Sequence, residues 1–420
     1  MSDKKEAFLR AVTARESELY ALLSALVRID SQNFGTSGRE AAVAAFVADK
    51  LQSLGLSPDV YSPMDVPGLP SNPDYWDGHH LENRPNVTVS RGGNSRRRLM
   101  LAAHSDTVPV GNPANWTFPP FSGELRDGNI LGRGACDDKY GIATVLYLLT
   151  LLRDESITLP YELLFTAYSD EENGGGNGTL AACLKYPCED IVNLDCKNFD
   201  IWAVAAGGGR LRAYIRADHP LDSCGPMLDG LAILREEFYA FRERRAQELR
   251  KVPFYRGTNI PDTSVRFTEM RSGDGSSDFD RAFVEVCYYT TRTKDEIDAE
   301  LKKMQTRLSE KLAPYGLLFD RFERTTRHFH FKETAMENPA MDTLVRAAES
   351  AAGRKLAPCG SCLSDLSLFI KYGSPRAFSF GIGRDFGVYG GAHQADEFIE
   401  CARLLEFAKI LGAFLLDYKA

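Results

Sequence analysis

Residues 99–106 read Leu-Met-Leu-Ala-Ala-His-Ser-Asp, an apolar run of strand length that stops abruptly on a histidine and an aspartate. The same punctuation recurs downstream: Leu163–Tyr168 runs into Ser169-Asp170-Glu171-Glu172, and Ile191–Leu194 runs into Asp195. Helical patterns separate these strands, at Ile142–Leu152 and Leu180–Tyr186. Strands alternating with helices predict an α/β layer built on a largely parallel sheet. In such sheets ligands bind beyond the carboxyl ends of the strands, so the chemistry-bearing residues are expected to converge on one crevice.

Upstream, Leu9, Val12, Leu19, Leu22, Leu23 and Leu26 recur at helical spacing, and a second helix is expected from the capping box Ser37-x-x-Glu40 to about Gly55. Between residues 204 and 326 the rhythm changes to strand (Arg210–Arg216), helix (Leu228–Leu249), strand (Ser264–Met270), strand (Ala282–Thr290), helix and strand (Leu317–Glu323). The second of those helices opens with the capping box Thr293-x-x-Glu296 and carries Ile297, Leu301, Met304, Leu308 and Leu312 along one face. A βαββαβ order is the ferredoxin-like pattern. The expected organisation is therefore a larger domain, 1–203 and 327–420, interrupted by a smaller one, 204–326, with a last helix over Glu397–Leu416.

A chain of 420 residues exceeds what one hydrophobic core usually organises, in keeping with two domains. The net charge of −8 argues against nucleic acid or an anionic membrane as a partner. The one dense basic run, Arg96-Arg97-Arg98, is read as a solvated turn. No apolar stretch is long enough to span a membrane, and the start MSDKKEAFLR lacks the apolar core of a secretory signal. A cytoplasmic location is expected. The 9 cysteines fit free thiols better than a disulfide framework, and the lone pair Cys359-Gly360-Ser361-Cys362 carries no expectation of zinc or redox chemistry.

Beside the three strand ends, Asp137-Asp138 lies in the Gly-rich turn GRGACDD just before a helix, and His393 lies in GGAHQADE near the last helix. Two imidazoles with several carboxylates suit Zn²⁺, Mn²⁺ or Co²⁺. His104, Asp137, Glu172, Asp195 and His393 make five candidate ligands, enough for two ions if one carboxylate is shared. Adjacent Glu171 and Glu172 allow one to bind metal while the other stays free as a base. His79, His80, His328 and His330 are read as surface or packed histidines, and Asp138 and Asp170 as local hydrogen-bonding groups.

Taken in order, LMLAAHSDTVPVG, GRGACDDKYG, SDEENGG, the strand-end Asp195 and GGAHQADEF resemble the M20 family of metallopeptidases, which includes acetylornithine deacetylase, succinyl-diaminopimelate desuccinylase, carboxypeptidase G2, peptidase T and the carnosinases. The resemblance implies a zinc-exopeptidase-like α/β domain with an inserted ferredoxin-like lid through which some members dimerise. It implies two divalent ions, zinc first, with His104 and Asp195 on one, Glu172 and His393 on the other, and Asp137 between them. It also implies that Asp106 orients His104, that Glu171 is the general base, that the Asp137–Asp138 peptide is cis, and that His219 of the lid donates to the oxyanion, in some members from the partner subunit.

The chain departs from the family pattern in three places. Tyr140 stands where the family has glycine, and is expected to narrow the crevice. SGDGSSDFD replaces the usual lid signature, and Leu363-Ser364-Asp365-Leu366-Ser367 lacks the usual arginine. Members with aspartate at the Asp195 position tend to be aminopeptidases or dipeptidases, so hydrolysis of a small peptide is the leading expectation. Deacylation of an N-acyl amino acid is the alternative. A catalytically silent metal-binding protein is a third reading, disfavoured because Glu171 and every ligand position are intact.

Overall fold

The computed structural model describes residues 3–92, 97–273 and 279–419. The chain forms two compact units, one of Met1–Ala203, Glu333–Cys359 and Leu368–Ala420, the other of Val204–Lys332 and Gly360–Ser367.

In the first unit, strands Glu162–Tyr168, Arg98–His104, Asp190–Asn193 and Phe378–Phe380 lie side by side and parallel. Asn86–Arg91 and then Asp59–Tyr61 extend this sheet antiparallel at one side, and the strand beginning at Ile201 does so at the other. Leu99–Ala103 are fully buried, as expected where helices cover both faces of a parallel sheet. Register places the strand ends level: His104 pairs with Tyr168, and Ala102 with Asn193. Two further bonds carry the alignment past the strands, Ser105 N–H to Tyr168 O at 2.8 Å and Leu194 N–H to Ala102 O at 2.7 Å. The fold is thus a mixed, largely parallel α/β sheet packed by helices, with a second α/β unit interrupting it in sequence.

Helix Lys139–Asp154 is buried on nearly every side through Leu149, a pattern expected of a core helix rather than an amphipathic one. The N-terminal apolar pattern, expected as a single helix, is two, Asp3–Ala14 and Glu16–Val27, broken at Arg15, whose φ of −112° is not helical. Arg15 bonds Glu18 at 2.7 Å and Asp154 at 2.8 Å from this break. The expected capping box at Ser37 does not form. Helix Ala41–Ser53 has no side-chain cap, because the Glu40 carboxylate is drawn inward to Arg84 at 2.7 Å.

The last helix spans Cys401–Asp417 rather than starting at Glu397, since Phe398–Glu400 first pairs as a strand with Asn129–Leu131. Arg97 and Arg98 are not a free solvated turn: Arg98 pairs with Glu162 at 2.7 Å and Arg97 with Asp190 at 3.4 Å. Arg96 lies outside the described residues. No helix among the described residues is long and apolar enough to cross a membrane, and all 9 cysteines are free.

The second unit follows the βαββαβ order: strand Gly207–Ala217, helix Gly225–Leu249, strands Val265–Ser272 and Arg281–Thr290, helix Lys294–Leu312 and strand Leu317–Arg324. Its sheet is antiparallel, with Arg281–Thr290 and Leu317–Arg324 on either side of Gly207–Ala217 and Val265–Ser272 at the edge. Ile297, Leu301, Met304, Leu308 and Leu312 pack into its core with Phe238, Phe241 and Val286. Here the capping box does form, Thr293 and Glu296 satisfying each other's N–H groups. Asp274–Asp278 of the SGDGSSDFD segment lie outside the described residues.

Losing the Thr293 hydroxyl takes the acceptor from the Glu296 N–H in the first turn, while the Glu296 carboxylate can still accept the residue 293 N–H. Thr293→Ala should therefore cost about 0.5–2 kcal/mol of stability, seen as a lowered midpoint in urea unfolding; an unchanged midpoint would show that the box contributes nothing.

Candidate metal centre

The level strand ends place His104, Glu171, Glu172 and Asp195 along one edge of the sheet. The turn before helix Lys139–Asp154 brings Asp137 to the same place, its carboxylate facing His104 Nε2 through Oδ1 at 3.0 Å and His393 Nε2 through Oδ2 at 3.1 Å. His393 Nε2 also lies 3.1 Å from Glu172 Oε2. The residue holds a left-handed backbone, φ 64°, which turns its ring into the cluster from the loop before strand Phe398–Glu400. Among the described residues two sets of side chains each bring their ligand atoms within 4.8 Å of one another: His104, Asp137 and Glu172, and His104, Glu171 and Asp195. The Asp137–Asp138 peptide is cis.

Behind these side chains stands Asp106. His104 Nδ1 donates to the Asp106 main-chain oxygen at 2.9 Å, while the nearest Asp106 carboxylate oxygen is 3.6 Å away. That carboxylate serves the neighbouring loop instead, accepting the N–H groups of Glu171 at 3.2 Å and Glu172 at 3.0 Å and the Asn33 amide at 2.8 Å. Asn33 also donates to Glu172 O at 3.0 Å. One aspartate thus ties the histidine to both glutamates. Burial opposes its charge, but His104, Arg84 and Asn33 outweigh that and hold its carboxyl well below the usual range.

The electrostatics favour cations throughout. Burial opposes a charged His393, yet Glu172 and Asp137 lift its pKa to about 10. His104 is likewise raised by Asp106 and Asp137 against its burial. Burial pushes the Asp138 carboxyl well up, with Asp195 and Asp137 adding to the effect. A cluster of carboxylates converging on two imidazoles matches the donor chemistry of borderline-hard divalent ions, with Asp137 shaped to share its two oxygens.

Residues 100–417 match the model of peptidase family M20/M25/M40. The chain belongs to that family. A succinyl-diaminopimelate desuccinylase from Methylorubrum populi is 34% identical over 163 residues, covering 38% of this chain and 37% of that protein. An N-formyl-4-amino-5-aminomethyl-2-methylpyrimidine deformylase from Bacillus subtilis is 26% identical, over 56% of this chain and 59% of its own length. These alignments span less than two thirds of the relatives' lengths. Human carnosine dipeptidase 1 superposes with a TM-score of 0.72 at 15% identity, over 98% of this chain and 99% of that one. A dinuclear metal-binding M20 peptidase from Bacillus subtilis does so with a TM-score of 0.58 at 15% identity, over 96% and 98%. At these identities the likeness is one of fold.

Against the family pattern, Tyr140 does not narrow the crevice. It is buried, its hydroxyl reaching Leu194 O at 2.5 Å and Cys196 O at 2.8 Å. Asp365, in the segment that lacks the usual arginine, pairs with Arg327. His219 lies in the second unit, exposed and paired with Asp218.

Several residues were not foreseen. His79, read as a surface or packed histidine, is buried with Nδ1 2.7 Å from Asp170 Oδ1. Arg84 reaches the same oxygen at 2.9 Å and pairs with Glu40 at 2.7 Å. Asp170 itself has a left-handed backbone, φ 64°, immediately before Glu171, and also accepts the Asn177 N–H at 3.3 Å. Burial and the nearby Asp106 raise the Glu40 carboxyl to about 8 despite Arg84. The adjacency of Asp170 to Glu171 was the only sequence signal for this network.

Removing the Arg84 cation would leave the buried Glu40 and Asp170 carboxyls without the partner they share. Arg84→Leu is expected to destabilise the protein by about 3–5 kcal/mol, measured by denaturant unfolding. A loss below about 1 kcal/mol would mean that the pairs contribute no more than a surface ion pair does.

Proposed function

We propose that the chain cleaves the amide bond of a small peptide, as a dipeptidase or aminopeptidase, at a centre of two divalent ions, zinc before manganese or cobalt. The observation that carries the reading is the Asp137 carboxylate, its two oxygens aimed at two different imidazoles. On this reading His104 and Asp195 hold one ion, Glu172 and His393 the other, and Asp137 both. Bound there, the ions would polarise the substrate carbonyl and acidify water. Glu171 takes the proton from the attacking water and returns it to the leaving amine. Asp106 keeps His104 in one tautomer through its main-chain oxygen and holds Glu171 in place through its carboxylate.

Aspartate rather than glutamate at position 195 supports a peptide substrate. A second reading, removal of an acyl group from an N-acyl amino acid, is supported by the sequence relatives, which are named as a desuccinylase and a deformylase. Both use the same centre. Metal-loaded protein offered free-amine dipeptides and N-acyl amino acids side by side distinguishes them. Selective turnover of the dipeptides is expected, and turnover of the acylated set alone would establish the second reading.

The division of labour between the adjacent glutamates gives a sharper test. Glu171→Gln should retain both ions and lose about 10²–10⁴-fold in kcat, whereas Glu172→Gln should lose or weaken one ion. Wild-type kcat in Glu171→Gln would reassign the base.

For His219 the proposal is a donor to the oxyanion as the tetrahedral intermediate forms, supplied from the same chain or from a partner in a dimer. His219→Ala should bind metal normally and keep its KM while kcat falls about 10²–10³-fold. An unaltered kcat would return His219 to the surface.

A further inference from the structure

The start of helix Lys139–Asp154 carries a bulky side chain where the family pattern has none, and its hydroxyl is placed with unusual economy. Tyr140 is buried, its ring edge-on to Phe407 with centroids 5.5 Å apart. The hydroxyl lies 2.5 Å from Leu194 O and 2.8 Å from Cys196 O, the carbonyls immediately before and after Asp195, and accepts the Ile382 N–H at 3.2 Å. The strand that delivers Asp195 ends at Asn193, so Asp195 lies beyond regular pairing. Both flanking carbonyls nevertheless turn toward one phenol.

The surroundings are cut to fit that phenol. A Cβ on Gly381 would come 2.1 Å from the Tyr140 hydroxyl, 2.3 Å from Leu194 O and 2.7 Å from Cys196 O. A Cβ on Gly141 would press on Ala103 and Leu194 at 3.0 and 3.1 Å. Tyr140 also lies three residues after Asp137, so one rigid helix start joins the carboxylate shared between the imidazoles to the turn bearing Asp195. The one hydroxyl proton is shared between the two carbonyls; without it Leu194 O and the Ile382 N–H lose a partner, whereas Cys196 O keeps the Gly383 N–H at 2.9 Å, and the turn would reorganise to satisfy the groups left over.

We infer that Tyr140 is a positioning residue for one of the two metal sites: its hydroxyl clamps the backbone on both sides of Asp195 and so sets the affinity of the ion that Asp195 holds, leaving the Glu172–His393 ion untouched. This rests on the two-ion reading above. It assigns Tyr140 a task that its burial, away from the crevice, would not otherwise suggest.

The test is a titration of full-length apoprotein with Zn²⁺ against a chromophoric chelator, alongside thermal unfolding of the same apoproteins. In Tyr140→Phe one of two affinities should fall about 10–100-fold, the size typical of losing a group that orients a ligand, while the other is unchanged. In an Asp195→Asn background the same substitution should cause no further loss, as expected of residues acting through one another. Gly381→Ala, which crowds the hydroxyl from the opposite side, should weaken the same site and serves as well if Tyr140→Phe folds poorly. Equal weakening of both sites, no weakening, or additive loss with Asp195→Asn would overturn the assignment while leaving the two-ion centre standing. A wild-type protein that binds fewer than two ions would overturn the centre and the assignment together.

Discussion

Everything in the first unit is arranged around one carboxylate that must face two imidazoles at once. Asp137 meets His104 at 3.0 Å and His393 at 3.1 Å through different oxygens, so the two histidines have to approach from opposite ends of the chain and arrive level. The parallel sheet solves the first half, since its register puts His104 beside Tyr168 and next to the chain that leads to Asp195. The second half is solved by a buried ion pair. Glu397, four residues after His393, receives Arg133 at 2.5 Å and the Cys136 N–H at 2.9 Å, locking the histidine loop to the turn that carries Asp137.

Like charges crowd the centre, and the protein contains them with groups set one layer back. Asp106 accepts the N–H groups of Glu171 and Glu172, Arg84 stands between Glu40 and Asp170, and Asn33 bridges Asp106 and Glu172. Such an arrangement holds ligands in place before an ion arrives, which lowers the ordering that binding must impose. It also leaves the cluster short of positive charge, the condition under which divalent cations bind well.

The strand-end residues were legible because a parallel sheet displays its chemistry at one edge, and apolar runs that stop on His104, Glu171-Glu172 and Asp195 announce that edge directly. The βαββαβ unit was legible for a similar reason: its periods and its Thr293 box depend on neighbours in sequence. Asn33, His79, Arg84 and Glu40 were not, because each gains its role from a partner far along the chain. Ser37-x-x-Glu40 and Thr293-x-x-Glu296 fit one pattern and end differently. Thr293 and Glu296 cap each other on an exposed surface, whereas Glu40, in the same pattern with Ser37, is taken by Arg84, a buried charge-assisted pair outcompeting a helix cap. Tyr140 was misread in direction, since a residue in the first turn of a buried helix faces the core, and only Gly381 hints at the space its hydroxyl needs.

The central claim is that Asp137 is shared between two ions, and X-ray absorption on protein loaded with zinc measures this directly. A metal–metal scattering vector at about 3.5–4 Å is the spacing that a shared carboxylate imposes, and the geometry around Asp137 predicts that it will be seen and will disappear in Asp137→Ala. Two bound zinc ions with nitrogen and oxygen neighbours but no metal–metal vector would mean that the ions occupy separate sites, and would contradict the account.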